Sequence, residues 1–230
     1  MKKSITLFAT ASIMACSVKA VTLANPSFDT DSYLNFGTNN AFNPQITIGE
    51  SQRPGSGHFN FGVIEFDVTS IATGGNKYLS LSAVEYVTLT PNPMGPPTTT
   101  ISDTGSATVQ LVALGDSFSN YQAAADKIAW YDANVQSSAV SVLGVFNFSN
   151  QSTLTVDVTS TVNGWIGDAA TNNGFALFST AGNVELASST YTDDPSLCPA
   201  LLDTPVSTPE PASVTLLGLG GIAFILRRKR

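Results

Sequence analysis

The sequence predicts an all-β protein, an antiparallel β-sandwich of jelly-roll type with one or two short helices. An N-terminal signal helix and a short C-terminal transmembrane helix bracket it. Three observations carry this expectation. Apolar residues recur with period two through the middle of the chain, clusters of Gly, Pro, Asn, Ser and Thr separate those runs, and both ends are apolar stretches that hold most of the basic residues. With 230 residues, 43% of them hydrophobic, the chain buries one ordinary core once both ends are set aside. The expected division is a signal peptide at 1–20, a β-domain at 21–203, a proline-rich linker at 204–211 and a helix with a basic tail at 212–230.

The front end has the three parts of a secretory signal: basic Met1-Lys2-Lys3, an apolar stretch from Ile5 to Ala15, and Val18-Lys19-Ala20 with small or aliphatic residues where a signal peptidase reads. Signal peptidase is therefore an expected partner, with cleavage after Ala20. A rival route is lipoprotein processing at Cys16, where Met14 occupies a position that favours a small residue. Cleavage after Ala20 removes Cys16 and leaves Cys198 without an intramolecular partner, as a buried apolar thiol or a site for intermolecular pairing.

Along the body, Ile64-Glu65-Phe66-Asp67-Val68 alternates apolar and acidic residues, as a strand with one wet face does. Further alternations fall at Leu79, Leu81 and Ala83, at Val109, Leu111 and Ala113, at Leu154, Val156 and Val158, and at Phe175 and Leu177. Pro91 to Thr100 reads as the longest irregular stretch. Helix is expected over Tyr121–Trp130, where Gln122-Ala123-Ala124-Ala125 favours it, and for a turn or two after Thr159. Phe66-Asp67-Val68-Thr69-Ser70-Ile71 recurs ninety residues later as Val156-Asp157-Val158-Thr159-Ser160-Thr161-Val162, each time ending a strand on hydroxyl residues suited to cap a helical turn.

Asn35-Phe36-Gly37, Ile48-Gly49, Gly62-Val63-Ile64-Glu65-Phe66-Asp67, Val156 to Trp165 and Asn173-Gly174-Phe175-Ala176-Leu177 stand in an order that resembles the DNRLRE-type β-sandwich domain, a relative of carbohydrate-binding modules. The basic residue usual ahead of the middle strand is missing, and Cys198-Pro199-Ala200-Leu201-Leu202 approximates the closing strand. The resemblance implies the fold.

After Asp203 the chain changes character. Thr204-Pro205-Val206-Ser207-Thr208-Pro209-Glu210-Pro211 cannot hold a helix or a sheet ladder, because proline lacks a donor and restricts its predecessor. Ala212 to Leu226 then runs without a charge into Arg227-Arg228-Lys229-Arg230. As a helix this segment spans roughly 22 Å against a hydrocarbon core of about 30 Å, so it suits transient membrane insertion better than a permanent anchor. Pro209-Glu210-Pro211, the short apolar helix and the basic terminus together resemble the PEP-CTERM sorting signal of Gram-negative bacteria. That resemblance implies an exosortase as partner, a membrane-embedded cysteine transpeptidase that cuts near Pro209-Glu210-Pro211 and passes the body to the cell surface or extracellular polysaccharide. Pro209, Glu210, Pro211, Arg227, Arg228, Lys229 and Arg230 are then recognition residues. A plain C-terminal anchor uses the same helix.

Charge narrows the partners. The formal charge is −7, but residues 21–208 hold only Arg53, Lys77 and Lys127 against sixteen acids, a net charge of −13. Nucleic acid is excluded as a partner, because binding phosphate needs clustered Lys and Arg. The one histidine, His58, sits in the loop Gly55-Ser56-Gly57-His58-Phe59-Asn60, which leaves a catalytic triad or a zinc site short of parts. Glu65, Asp67, Glu85 and Asp157 are carboxylates on strands: the wet face of the sheet, or, in the alternative reading, the acid pair of a secreted carbohydrate-active enzyme. No cofactor is expected; calcium around Asp29, Asp31 and Asp67 is the one metal weighed. Trp130 and Tyr131, flanked by Asp126 and Asp132, are the leading candidates to stack on sugar rings, followed by Tyr33 and Tyr191. Trp165, at helical spacing from Val162, is expected in the core.

Overall fold

The computed structural model describes residues 20–33, 39–41, 44–50, 59–90, 98–118, 124–136 and 140–205. The signal helix and the C-terminal helix expected from the sequence lie outside these residues. No helix among the described residues is long and apolar enough to cross a membrane.

The strands in chain order are β1 (Thr22–Ala24), β2 (Pro26–Tyr33), β3 (Asn39–Ala41), β4 (Gln45–Glu50), β5 (Phe59–Phe66), β6 (Tyr78–Thr90), β7 (Thr98–Ser102), β8 (Ser106–Ala113), β9 (Val142–Ser149), β10 (Ser152–Asp157), β11 (Phe175–Ala181), β12 (Val184–Ala187) and β13 (Ala200–Leu202). Between them lie α1 (Ala124–Tyr131), which runs into a wider π-helical turn at Asp132–Gln136, and α2 (Thr159–Gly167). Every described pairing is antiparallel. The all-β, antiparallel expectation therefore holds, with two short helices. The strands join in one curled sheet of thirteen, with the path β1-β13-β6-β12-β4-β5-β11-β8-β9 and the others attached beside it.

The curl turns on β4. Its first residues pair with β12, Ile46 opposite Leu186 and Ile48 opposite Val184, while Gly49 and Glu50 pair with Asn60 and Phe59 of β5. Gly49 sits at the switch with φ +124, where a Cβ would lie 2.3 Å from the Asn183 Oδ1. Only glycine fits both that backbone and that approach.

The curl brings the two ends of the path around one core. Ile46, Ile48, Leu79, Leu81, Ala83 and Leu186 from one part of the sheet meet Ile64, Phe66, Val109, Leu111, Phe146, Phe148, Phe175 and Leu177 from the other. These include the residues whose period-two spacing predicted strands, and each large apolar side chain buried this way contributes on the order of 1.5–3 kcal/mol. The expected irregular stretch at Pro91–Thr100 is corrected at its end, where Thr98–Ser102 forms β7 on β6. That strand is almost wholly exposed, so no apolar alternation announces it; its run of β-branched threonines is the local signal.

One end of the core is plugged by the repeated element. Val158, Val162 and Trp165 of α2 and its entry pack with Val68 and Ile71 in the same cluster, and the Trp165 ring lies 4.6 Å from that of Phe175. The hydroxyls do not cap as expected. Instead the preceding aspartate does the accepting: Asp67 Oδ1 takes the Thr69 N–H at 2.9 Å and its hydroxyl at 2.6 Å, and Asp157 Oδ1 takes the Thr159 N–H at 2.9 Å. Thr159 Oγ1 is thereby left to accept the Lys77 N–H at 2.8 Å. The buried Lys77 donates its ammonium to the carbonyls of Gly74 and Gly75, and Asn163 Nδ2 reaches Gly75 at 3.4 Å.

A second cluster covers the outer face of the same strands. Phe61, Val63, Val112, Leu114 and Ala176 lie under Phe118 and the α1 residues Trp130, Tyr131 and Val135. The face expected to be wet along Ile64–Val68 is therefore wet only at its end: Phe61 and Val63 are buried beneath α1, Glu65 is half-buried, and Asp67 is exposed.

Candidate functional site

The two leading stacking candidates are corrected by α1. Lys127, Trp130, Tyr131 and Asn134 recur at helical spacing, which turns one face of the helix onto the sheet. Trp130 is 7% exposed and Tyr131 3%. The Trp130 ring stacks 6.0 Å from Phe61 and meets Phe118 edge-on at 5.0 Å; Tyr131 lies 4.8 Å from Phe61. Their ring faces are taken by the protein, so neither offers a platform for a sugar. Asp126 and Asp132, whose presence had singled them out, are exposed. Tyr33 ends β2 opposite Asn60, and its side chain lies outside the described residues. Trp165 is buried at 5% exposure, as its spacing from Val162 indicated.

Tyr191 is different. It sits partly exposed in the loop after β12, its N–H donating to the Ser188 carbonyl at 3.2 Å. Lost solvation and the charges of Asp193, Glu85, Asp194 and Asp103 push its phenol up. The loop is stitched down on both sides. Asp29 of β2, buried at 4% exposure, accepts the Ser189 N–H and, at 3.0 Å, its hydroxyl; burial pushes that carboxyl up against the lowering effect of both bonds. Asp194 Oδ1 caps the turn Pro195–Leu197 by accepting the Ser196 N–H at 3.0 Å. Cys198, half-buried with its thiol pushed up by burial, directs Sγ to the Tyr191 carbonyl at 3.6 Å. Missed in the sequence was this grouping of Glu85 and Asp103 with Asp193 and Asp194, because it joins a strand and a turn to a loop about ninety residues away.

The carboxylates of the alternative reading fall into separate places. Glu65 on β5 is raised by burial, while Asp67 and Asp157 are held low by their threonine bonds. Glu85 stands opposite Glu185 across β6 and β12. Among the described residues no group of three or more His, Cys, Asp and Glu side chains is arranged to hold a metal ion. Of the calcium candidates, Asp29 is engaged by Ser189 and Asp67 by Thr69, and the Asp31 side chain lies outside the described residues, as do His58 and Gly55–Gly57.

Electrostatically the described surface is one-signed. Its lysines, Lys77 and Lys127, are 2% and 0% exposed, and burial lowers Lys127 from its ordinary range. Asp67, Asp103, Asp116, Asp157, Asp193 and Asp194 are all exposed.

The tail leaves this body just after β13, which lies between β6 and β1. An antiparallel β-body with a proline-rich exit defines an exported protein with a detachable tail, and the comparison with protein families specifies the tail. Residues 207–230 match the PEP-CTERM protein-sorting motif. The motif marks an exported protein that is held transiently at the membrane and processed by an exosortase. The match takes in Pro209, Glu210, Pro211 and Arg227 to Arg230, all outside the described residues. No curated protein matches the chain significantly.

Proposed function

We propose that this is a non-catalytic surface or matrix protein of a Gram-negative cell. It is exported through a signal peptide, cut near Pro209-Glu210-Pro211, and left at the cell surface or in extracellular polysaccharide, with its acidic β-domain, of the DNRLRE-like sandwich kind, making weak glycan contacts. The single observation that carries the reading is the sorting motif over residues 207–230. Tyr191 supports a glycan contact: an aromatic with an apolar body and a polar tip, partly exposed and ringed by carboxylates that accept sugar hydroxyls. The carboxylate ring and the buried lysines favour a neutral or calcium-linked glycan over a polyanion.

Mass spectrometry of the protein recovered from its native host tests the sorting. The expected product has lost the peptide beyond the Pro209-Glu210-Pro211 region, and Glu210→Ala retains it; an intact C terminus in the wild type overturns the reading in favour of a plain anchor. A glycan array with product analysis tests the body. Turnover abolished by Glu65→Gln or Asp157→Asn overturns the non-catalytic assignment.

A further inference from the structure

Both ends of the folded body meet at one corner of the sheet. β1 lies on β13 with Thr22 opposite Leu202 and Ala24 opposite Leu201. Just beyond that ladder the Val21 N–H donates to Asp203 Oδ1 at 2.8 Å, and the Asp203 N–H donates back to the Val21 carbonyl at 3.1 Å. The Thr204 hydroxyl donates to the same Oδ1 at 3.2 Å, and the linker to the sorting motif begins there. Val21 is 57% exposed, an apolar residue in water directly after the bond that the signal peptide reading marks for cleavage.

We propose that Asp203 is the docking carboxylate for the α-ammonium group of the processed protein, so that removal of the signal peptide clamps the new N terminus to the residue from which the sorting tail departs. The proposal rests on cleavage after Ala20. Hydrolysis of the Ala20–Val21 amide adds the water oxygen to the Ala20 carbonyl carbon, and the Val21 nitrogen leaves with a proton. At neutral pH the departing peptide ends in a carboxylate and Val21 begins with an ammonium. A single neutral N–H at 2.8 Å from Asp203 becomes a cation with three donors, already in place. The uncleaved chain has no charge at that nitrogen, so the clamp distinguishes processed from unprocessed protein. Little else ionisable competes at the corner. Lys77 is turned to Gly74 and Gly75, Tyr78 lies opposite Leu202 on β6, and Asp157 lies a strand further away, opposite Tyr78 on β10.

The test uses the exported protein recovered from its host, as wild type, Asp203→Asn and Asp203→Glu. Each is exposed to limiting acetic anhydride about one unit below the ordinary α-amino pKa of about 7.7–8.0, and acetylation of the N-terminal peptide is followed by mass spectrometry. An ion-paired ammonium gives up its proton less readily and reacts more slowly. Expected is a chain that begins at Val21, acetylated about two- to fivefold more slowly in the native wild type than in Asp203→Asn. Asp203→Glu keeps protection, and all three react alike in denaturant. Equal native rates in wild type and Asp203→Asn overturn the proposal. A chain that begins elsewhere also overturns it, and traces the failure to the cleavage reading instead of the contact.

Discussion

Truncating Trp165 to alanine separates a structural indole from a ligand-binding one. Its side chain is 5% exposed and tilted over Phe175 at 4.6 Å, with Phe66 a further 6.3 Å beyond Phe175, so the indole fills the end of the core between α2 and the sheet. Removing a large aromatic from such a site costs about 3–5 kcal/mol, the lost transfer energy plus the cavity that the β-sheet cannot close. For a body of this size each kcal/mol moves Tm by about 2–4 °C, so Trp165→Ala should melt roughly 6–20 °C below the wild type. Trp165→Phe keeps a ring against Phe175 and should recover most of that loss. The assay is far-ultraviolet circular dichroism on heating the exported protein, with polysaccharide retention measured well below either melting point. Retention should be unchanged by Trp165→Phe. A Trp165→Ala protein that melts within about 2 °C of the wild type yet loses retention refutes the plug and makes Trp165 a surface stacking residue.

Asp29 carries a pH signature. Burial raises its carboxyl above the ordinary 3.8, so the folded state holds that proton more tightly than the unfolded chain does. The stability it contributes is complete below about 3.8 and is lost as pH rises through the raised folded value. Asp29→Asn, whose amide can still accept from the Ser189 N–H and donate to its hydroxyl, should flatten Tm against pH over that window; an unchanged slope would remove Asp29 from the account. Gly49→Ala, forced to φ +124 and toward Asn183, should destabilise by about 1–3 kcal/mol in a urea titration, and a neutral result would mean that β4 can switch partners without it. Tyr191→Ala should weaken retention on a neutral glycan severalfold, while Trp130→Phe should leave it untouched; the reverse pattern in a pull-down would return the stacking role to α1.

Much of the fold was legible where one face of a strand meets the core and little else interferes. Leu79-Ser80-Leu81-Ser82-Ala83 gave β6 because its alternation is clean, and Val162 with Trp165 gave α2 its buried side. What failed has a shared cause. Phe61 and Val63 break the alternation of β5 because α1 covers the outer face there, and no local pattern announces a second cover. The same cover hid Trp130 and Tyr131: beside two aspartates they read as a wet aromatic pair, whereas their spacing from Lys127 and Asn134 already described a helix face. The curl at β4 was illegible, since Gly49 reads locally like any strand glycine and its meaning comes from Asn183 across the switch. The sorting motif was legible because its parts are read in order along the chain and need no fold at all.

The buried lysines change what the acidic composition means. A net charge of −13 over residues 21–208 would be softened locally if its cations reached solvent, yet Lys77 is spent on Gly74 and Gly75 and Lys127 is enclosed, so the described surface presents carboxylates alone. Toward a polyanionic polysaccharide such a surface is repulsive at ranges up to the Debye length, about 10 Å at 0.1 M salt. Two consequences follow, opposite in sign to those of a basic matrix protein. In a chelator, binding to a polyanion should be absent at low salt and should not appear on Lys77→Met, because that ammonium never faced the glycan. Added calcium should create binding by bridging carboxylates on both sides, and added sodium chloride should not remove contact with a neutral glycan, which has no charge to screen. Surface plasmon resonance on matched neutral and anionic glycans reads all of these arms, and polyanion binding that survives the chelator would mean that the working surface lies outside the acidic face described by the fold.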